Sequence, residues 1–231
     1  MEEVKLIVPD SLDEISLGQY QYYLGAIKGK DEVKDAEFIN KKLIEAFCGI
    51  EYDLVDKIPY RDIESLLKVL KMAFEKDYDL IRHFKLLDVD MGFIPKLDDM
   101  SLGEYIDIEN YFGNWDDMHK AMAVLYRPVN FRKGERYTIA PYDPNDEINE
   151  LMKEMPLSVV MSCTLFFYHL GIELSATTLN FMEKTLQKEE LTSQVRMALE
   201  KSGDGIKVSM RLLKEMSEDL MKLRKSHSTN A

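Results

Sequence analysis

A short phrase that occurs twice in this chain contains the residues with which an α-helix begins. Residues 15–20 read ISLGQY, and residues 100–105 read MSLGEY. In both copies a serine is followed three positions later by Gln or Glu, which is the capping box that satisfies free N–H groups in a first helical turn. We therefore predict helices that start at Ser16 and Ser101. The two copies indicate either two related halves or one starting sequence used twice.

Most of the remaining chain has the apolar spacing of amphipathic helices, with a period nearer 3.6 than 2. Between residues 84 and 99 this spacing fades, which indicates a short strand or an extended linker. The predicted helices cover residues 16–28, 35–49, a segment after Pro59, 101–111, 114–128, 145–155, a segment from Ser175, 189–202 and 205–225. We expect a mainly α fold, a multi-helix bundle with two loosely repeated helical halves, residues 1–97 and 98–231, which can also form a single domain.

One segment has the pattern of a β-hairpin. Residues 130–140 read NFRKGERYTIA, in which Lys133 and Gly134 are suited to a tight turn between two aromatic-containing strands. The same region has a local basic cluster that suits an acidic or carboxylate-presenting protein partner. The alternative is a solvated hairpin whose surface charges contribute little. The basic cluster consists of Arg127, Arg132, Lys133 and Arg136.

The predicted helix before this hairpin contains the only tryptophan of the chain, Trp115, and ends in Leu-Tyr-Arg-Pro. We take Trp115, Tyr126 and Arg127 as further candidates for contact with a partner. The alternative is structural, because Met118 and its neighbours at helical spacing form an ordinary core stripe. In that case Arg127 lies near a helix C-terminus, where a cation is favoured.

Composition limits the classes of partner. The chain has 231 residues, of which 45% are hydrophobic and 31% charged, as expected for a chain that folds. Its net charge of −12 opposes binding to nucleic acid or to anionic lipid. Cys48 and Cys163 are far apart and lack ligand spacing, which favours a reducing compartment. Residues 155–172 are uncharged and apolar, and we expect a core helix there rather than a membrane span.

Short motifs for nucleotide binding, metalloprotease chemistry and serine hydrolysis are absent from the sequence. His119 follows Asp116 and Asp117 within one helical turn, an arrangement that fits a metal or acid–base site only with further ligands. The alternative is a histidine on a helix surface or at an interface. Acidic residues also occur near residues 88–99, without the spacing of a calcium loop. We therefore predict a non-enzymatic protein without a cofactor.

Two segments resemble a known group of proteins. Residues 8–20, VPDSLDEISLGQY, and residues 118–128, MHKAMAVLYRP, are similar to small acidic helical proteins encoded among the morphogenesis genes of tailed bacteriophages. The most similar members are tail-assembly chaperones and baseplate-hub assembly factors. The resemblance covers roughly the first 140 residues and leaves the C-terminal helices unmatched.

The resemblance implies a protein that binds another phage protein in the host cytoplasm during assembly. One example is shielding apolar helices of a tape-measure protein. The alternative is a structural component of the virion, such as a head–tail connector, a ring subunit or a protein packaged in the capsid. A homo-oligomer is compatible with either role.

Overall fold

The structure, a computed structural model, describes residues 7–75 and 78–186. The chain divides into two compact units, residues 1–162 and 163–231. In the described part, eight α-helices and one small antiparallel sheet give a mainly α fold with a minor β part, as predicted. The helices are α1 (Leu17–Ile27), α2 (Ala36–Cys48), α3 (Tyr52–Val55), α4 (Tyr60–Phe74), α5 (Leu102–Tyr111), α6 (Met118–Leu125), α7 (Asp146–Leu151) and α8 (Leu157–Leu186).

Both repeated phrases begin a helix with a complete capping box. At α1, Gln19 N donates to Ser16 Oγ over 3.2 Å, and Ser16 N donates to Gln19 Oε1 over 2.8 Å. At α5, Glu104 N donates to Ser101 Oγ over 3.3 Å, and Ser101 N donates to Glu104 Oε2 over 2.6 Å. The two helix starts predicted from the phrases are therefore confirmed.

Helices α1, α2 and α4 contribute to a cluster of aromatic rings. Helix α1 packs on α2, and α2 ends at Gly49, whose φ of +63° is the left-handed conformation that glycine adopts readily at a helix end. The Tyr20 ring of α1 lies 6.5 Å from that of Phe47 and 4.9 Å from that of Trp115. The segments before α1 and α8 are joined by an antiparallel bridge, in which Leu17 N donates to Met155 O over 2.9 Å.

Four strands form an antiparallel meander in the order β1-β2-β3-β4. Two-residue loops connect β1 to β2 and β3 to β4, while α5 and α6 lie between β2 and β3. Gly134, with a φ of +60°, takes the first central position of the β3–β4 turn, so the predicted hairpin is confirmed. The strands are β1 (His83–Leu86), β2 (Val89–Phe93), β3 (Tyr126–Lys133) and β4 (Arg136–Ile139).

The structure corrects the predicted helix over residues 114–128. Residues 115–117 form a 3₁₀ turn, α6 follows, and the helix ends at Leu125. Tyr126 already belongs to β3 and pairs with Phe93 of β2. The pairing with β2 overrides the helical pattern here, because strand preference depends strongly on tertiary context.

Helix α8 runs without a break through Ser175, so the helix start predicted there is wrong. The first six residues of α8, 157–162, belong to the first unit and are buried. Among the described residues, Leu157–Leu174 is the one stretch long and apolar enough to cross a membrane, a property that core helices share. The helices predicted over residues 189–202 and 205–225 lie outside the described residues.

Candidate functional site

The six residues predicted to contact a partner fall into two groups. Trp115, Tyr126 and Arg127 lie within the packed body of the first unit. Arg132, Lys133 and Arg136 are exposed on the β3–β4 hairpin. That these six residues bind a partner stays a prediction. The structure shows which of their side chains are exposed to a partner in the folded chain.

Trp115 joins α6 to α1 and is half-buried. Its ring meets the Tyr20 ring edge to face at 4.9 Å, a favourable aromatic geometry. Its carbonyl oxygen accepts a hydrogen bond of 2.6 Å from Nε2 of Gln21 on α1. These contacts give Trp115 a structural role in holding two helices together.

Tyr126 is fully buried at the start of β3, so its ring is not part of the surface. It packs between Phe84 and Phe93, at ring distances of 5.5 and 5.3 Å. Its hydroxyl donates to the carbonyl oxygen of Ile81 over 2.8 Å, which fixes the segment that leads into β1. The hydroxyl thereby has the partner that a buried tyrosine needs.

Arg127 lies on β3 rather than at a helix end, and its charge is neutralised within the fold. Its Nη2 lies 2.6 Å from Oε1 of Glu104, with both side chains nearly buried. Its guanidinium also lies over the Tyr142 ring, at 5.9 Å from the centroid. The Tyr142 hydroxyl in turn donates to Asp107 Oδ2 over 2.6 Å. This network ties α5 to the sheet and engages the Arg127 guanidinium in contacts within the fold.

The β3–β4 hairpin is anchored at its base and free at its tip. Tyr137 donates through its hydroxyl to Phe93 O over 2.7 Å, and its ring meets that of His83 at 4.3 Å. Gly92 lies beneath the hairpin, because a Cβ there would come within 2.9 Å of Val129 Cγ2. These close contacts fix the base of the hairpin on β2 and project its basic tip away from the body.

The two hairpin tips lie at the same end of the sheet, because β3 runs antiparallel to β2 and therefore towards the β1–β2 turn. Large apolar side chains are exposed there: Leu87 is 69% exposed, Val89 45% and Phe131 59%. Charged side chains of both signs surround them, because the exposed acidic residues Asp88, Asp90 and Glu135 lie at this end beside the cations. We call this end the hairpin surface, and its members are Lys85, Leu87, Val89, Phe131, Arg132, Lys133 and Arg136.

This end of the sheet has four cations against three acidic residues, Asp88, Asp90 and Glu135, whereas the chain as a whole has 30 Lys and Arg against 42 Asp and Glu. Lys85 is paired with Asp90, at 3.8 Å. Within the described ranges, no salt bridge includes Arg132, Lys133 or Arg136. A chain with a net charge of −12 thus presents three cations outside its ion pairs beside exposed apolar side chains.

His119 is buried rather than on a helix surface. Its Nδ1 lies 3.0 Å from Nε2 of Gln21, so Nδ1 accepts a hydrogen bond and the ring proton is on Nε2, 3.8 Å from Glu150 Oε1. Burial lowers its pKa, with Lys153 acting in the same direction and Glu150 against it. The neutral ring is therefore a packed, hydrogen-bonded part of the core.

Metal-binding clusters are not found in the described ranges, where no group of three or more His, Cys, Asp or Glu side chains could hold an ion. Asp116 instead pairs with Lys28 at 3.5 Å, and Asp117 with Lys120 at 2.8 Å. Burial raises the pKa of the Cys48 thiol to about 11, which disfavours the reactive thiolate. Asp116 and Asp117 are therefore explained as members of ion pairs, and Cys48 as a buried thiol.

The sequence matches no protein-family model, and neither characterised proteins nor solved structures matched it.

Sequence reasoning missed the half of the hairpin surface that belongs to the β1–β2 turn. Leu87 and Asp88 form that turn with φ values of +45° and +67°. Such turns are normally signalled by Asn-Gly or Asp-Gly, and this one has neither. The sequence did contain a signal for the exposed Phe131, because this aromatic residue lies next to the predicted basic turn.

Proposed function

We propose that this chain is a non-enzymatic assembly protein of a tailed bacteriophage that binds another protein of the particle in the host cytoplasm. In this role it acts as a tail-assembly chaperone does, with a tape-measure protein or another virion protein as its partner. The resemblance of residues 8–20 and 118–128 to such proteins supports the class of function. The hairpin surface supplies the observation that carries the binding role.

The hairpin surface has the composition of a protein-binding site. Exposed apolar side chains that cluster and are rimmed by polar groups mark interaction sites more often than scattered ones do. Aromatic and arginine side chains are enriched among the residues that dominate binding energies. Phe131 and Arg132 are adjacent here on a hairpin whose base is fixed, so binding orders little additional chain. A rigid, partly basic projection of this kind suits an acidic partner.

We include in the proposal that the chain has two loosely repeated halves, each of which contains one copy of the repeated phrase. In each half a capped helix, α1 or α5, is followed by further helix and then by a two-stranded hairpin. The two hairpins pair side by side through β2 and β3. In this proposal each of the two loosely repeated halves contributes one hairpin to the sheet.

The experiment that tests the function is a pull-down with the intact protein as bait from phage-infected cells, read by mass spectrometry beside an inventory of purified particles. A captured tail protein, with no copies of the bait in the particle, supports a chaperone. Stoichiometric copies in the particle support the alternative, a structural subunit such as a connector or ring component. Capture of no virion protein, together with absence from the particle, contradicts both.

The hairpin surface is tested in the same assay by replacing Arg132, Lys133 and Arg136 with Ser. Because these side chains lie outside the ion pairs of the described ranges, thermal stability should change little while capture falls at least about tenfold. A matched control replaces three exposed lysines elsewhere and changes the net charge equally. Capture equal to that of the control would remove the hairpin surface from the interface. The control lysines are Lys34, Lys57 and Lys68.

A further inference from the structure

A groove opens between the two hairpins because β2 and β3 separate. Their ladder has only three pairs and ends at Met91 and Pro128. Beyond it, β3 has a bulge between Val129 and Phe131 in its pairing with β4, and a bulge bends the strand that contains it. The groove has a volume of about 420 Å³. Its walls include Phe84, Lys85 and Asp90 on one side and Val129, Phe131 and Arg132 on the other.

Both walls of the groove are strand edges. A two-residue loop closes β3–β4 at the pair Lys133 and Arg136, so the backbone groups of the neighbouring Arg132 point away from β4, towards the groove. The same reasoning applies to β1–β2, which closes at Leu86 and Val89. The backbone groups of Asp90 therefore point away from β1 and into the same groove. Such edges are templates for an added strand.

The side chains around the groove indicate what kind of strand fits. Phe131 and Val89 offer apolar contact, while Arg132, Lys133 and Arg136 carry charges that no salt bridge within the described ranges neutralises. Of the acidic residues nearby, Asp90 in the wall is paired with Lys85, and Glu135 lies in the β3–β4 turn, so the three cations outnumber the one carboxylate there that is outside the ion pairs of the described ranges. An extended segment with alternating acidic and apolar side chains complements this surface.

We infer that the groove between the two hairpins binds an extended, acidic segment of the assembly partner by strand addition. The segment pairs its backbone with the Arg132 edge of β3, and its carboxylates bind the cations of the hairpin. This inference rests on the proposed function, because it names how the partner binds at the hairpin surface. Main-chain hydrogen bonds supply affinity in this mode, and the alternate side chains supply specificity.

The first test uses a probe peptide on the full chain. The probe is the blocked hexapeptide acetyl-Glu-Val-Glu-Val-Glu-Val-amide, and binding is followed by NMR shifts of the backbone amides of Asp90, Phe131 and Arg132. We expect saturable shifts at these amides. A probe with alternate N-methylated peptide bonds and one with Lys in place of Glu should each bind about tenfold more weakly. Equal binding of the N-methylated probe would overturn strand addition.

The second test separates the backbone of Arg132 from its side chain. Arg132→Ala removes the charge and keeps the N–H group that faces the groove, whereas Arg132→Pro removes both. Proline is tolerated at a strand edge when its N–H group is not used by the sheet, and circular dichroism checks the fold. We expect Arg132→Pro to bind the probe about tenfold more weakly than Arg132→Ala. Equal binding of the two variants would overturn the inference. If Arg132→Pro does not fold, the N-methylated probe decides alone.

A third test distinguishes this inference from the proposed function. In phage-infected cells, a photocrosslinking amino acid replaces Lys85 in the groove, with Glu109 on α5 as the exposed control position. Crosslinking of a virion protein from Lys85 and not from Glu109 supports the inference. Capture of a virion protein that Arg132→Pro leaves unchanged overturns it while the proposed function stands. Probe binding without any captured virion protein contradicts the proposed function alone. Self-association lost in Arg132→Pro would assign the groove to a second copy and overturn the partner segment.

Discussion

Glu104 Oε1 lies 2.6 Å from Nη2 of Arg127, while the other oxygen of the same carboxylate closes the capping box of α5. One side chain thus completes a helix start and neutralises a nearly buried cation. In the first capping box the equivalent residue is Gln19, whose Nε2 donates to Ala46 O on α2 over 2.9 Å. The second contact explains why the two capping boxes use different residues. The amide of Gln19 donates to a carbonyl oxygen, whereas the carboxylate of Glu104 binds an arginine.

We predict that Glu104→Gln lowers the free energy of unfolding by about 2 kcal/mol, because the capping box survives but Arg127 loses its counter-charge in a nearly buried position. Urea denaturation followed by circular dichroism measures the change. Glu109→Gln on the same helix is the control, and it should stay within about 0.5 kcal/mol of the wild type because Glu109 is exposed. A Glu104→Gln variant as stable as that control would show that the pair contributes nothing.

The pair also predicts a pH dependence. Burial raises the pKa of Glu104, but hydrogen bonds from Ser101 and the Arg127 guanidinium outweigh it and lower the pKa below its ordinary 4.5. A carboxyl group with a lowered pKa in the folded state stabilises fully above the ordinary value, and its contribution is lost as the pH falls through the lowered one. The stability gap between wild type and Glu104→Gln should therefore narrow below about pH 4.5. A gap that is constant through this range would contradict the assignment.

Local signals in the sequence predicted local features. The capping boxes at Ser16 and Ser101 and the Gly134 turn each depend on a few adjacent residues, and the structure confirms them. The end of α6 was placed too late, because what ends the helix is pairing of Tyr126 with Phe93, which is 33 positions away. The pair of Glu104 and Arg127 is likewise set by packing between elements, which a periodic pattern does not contain.

The unusual β1–β2 turn gives a second prediction. Leu87, at a φ of +45°, is a bulky residue in a conformation that costs side chains about 1 kcal/mol or more, and it is exposed. Replacing Leu87 and Asp88 with Asn and Gly supplies the preferred residues for a loop with two positive φ values. The double variant should be about 1 kcal/mol more stable in thermal or urea denaturation.

The same double variant should bind the partner more weakly, because it removes an exposed apolar member of the hairpin surface. Leu87→Ala is the matched control, since it removes the apolar contact but keeps a Cβ at the positive φ, so it should lose binding without gaining stability. A gain in stability with unchanged binding would separate the turn from the interface.

A third prediction concerns the Tyr20 hydroxyl, which is buried without a hydrogen-bond partner in the aromatic cluster. Burial of an unpaired hydroxyl costs free energy, and burial also raises the pKa of Tyr20 far above its ordinary value. Tyr20→Phe should therefore leave stability unchanged or raise it by about 1 kcal/mol. As a control, Tyr126→Phe should destabilise by a similar amount, because its hydroxyl donates to Ile81 O. Destabilisation by Tyr20→Phe would indicate that the hydroxyl has a partner in solution.

Gly92 gives a prediction that connects the fold to the binding surface. A Cβ at this position would lie 2.9 Å from Val129 Cγ2 and 3.1 Å from Tyr137 Cε2, both on the β3–β4 hairpin. Contacts below 3.0 Å force a shift, so Gly92→Ala should cost about 1–3 kcal/mol and displace the hairpin from β2. Urea denaturation measures the cost, and the NMR shift of the Ile94 amide, which shares a peptide group with Phe93 O, reports loss of the hydrogen bond from Tyr137.

Because the methyl group of Gly92→Ala collides mainly with Val129, the second-site change Val129→Ala should restore part of the stability and part of the probe binding. Val129→Ala alone is the control, and it should lose stability through the apolar contact that it removes. Coupling between the two positions follows from their contact, so the double variant should be more stable than the sum of the single changes predicts. Strict additivity would show that Gly92 does not determine how the hairpin is seated.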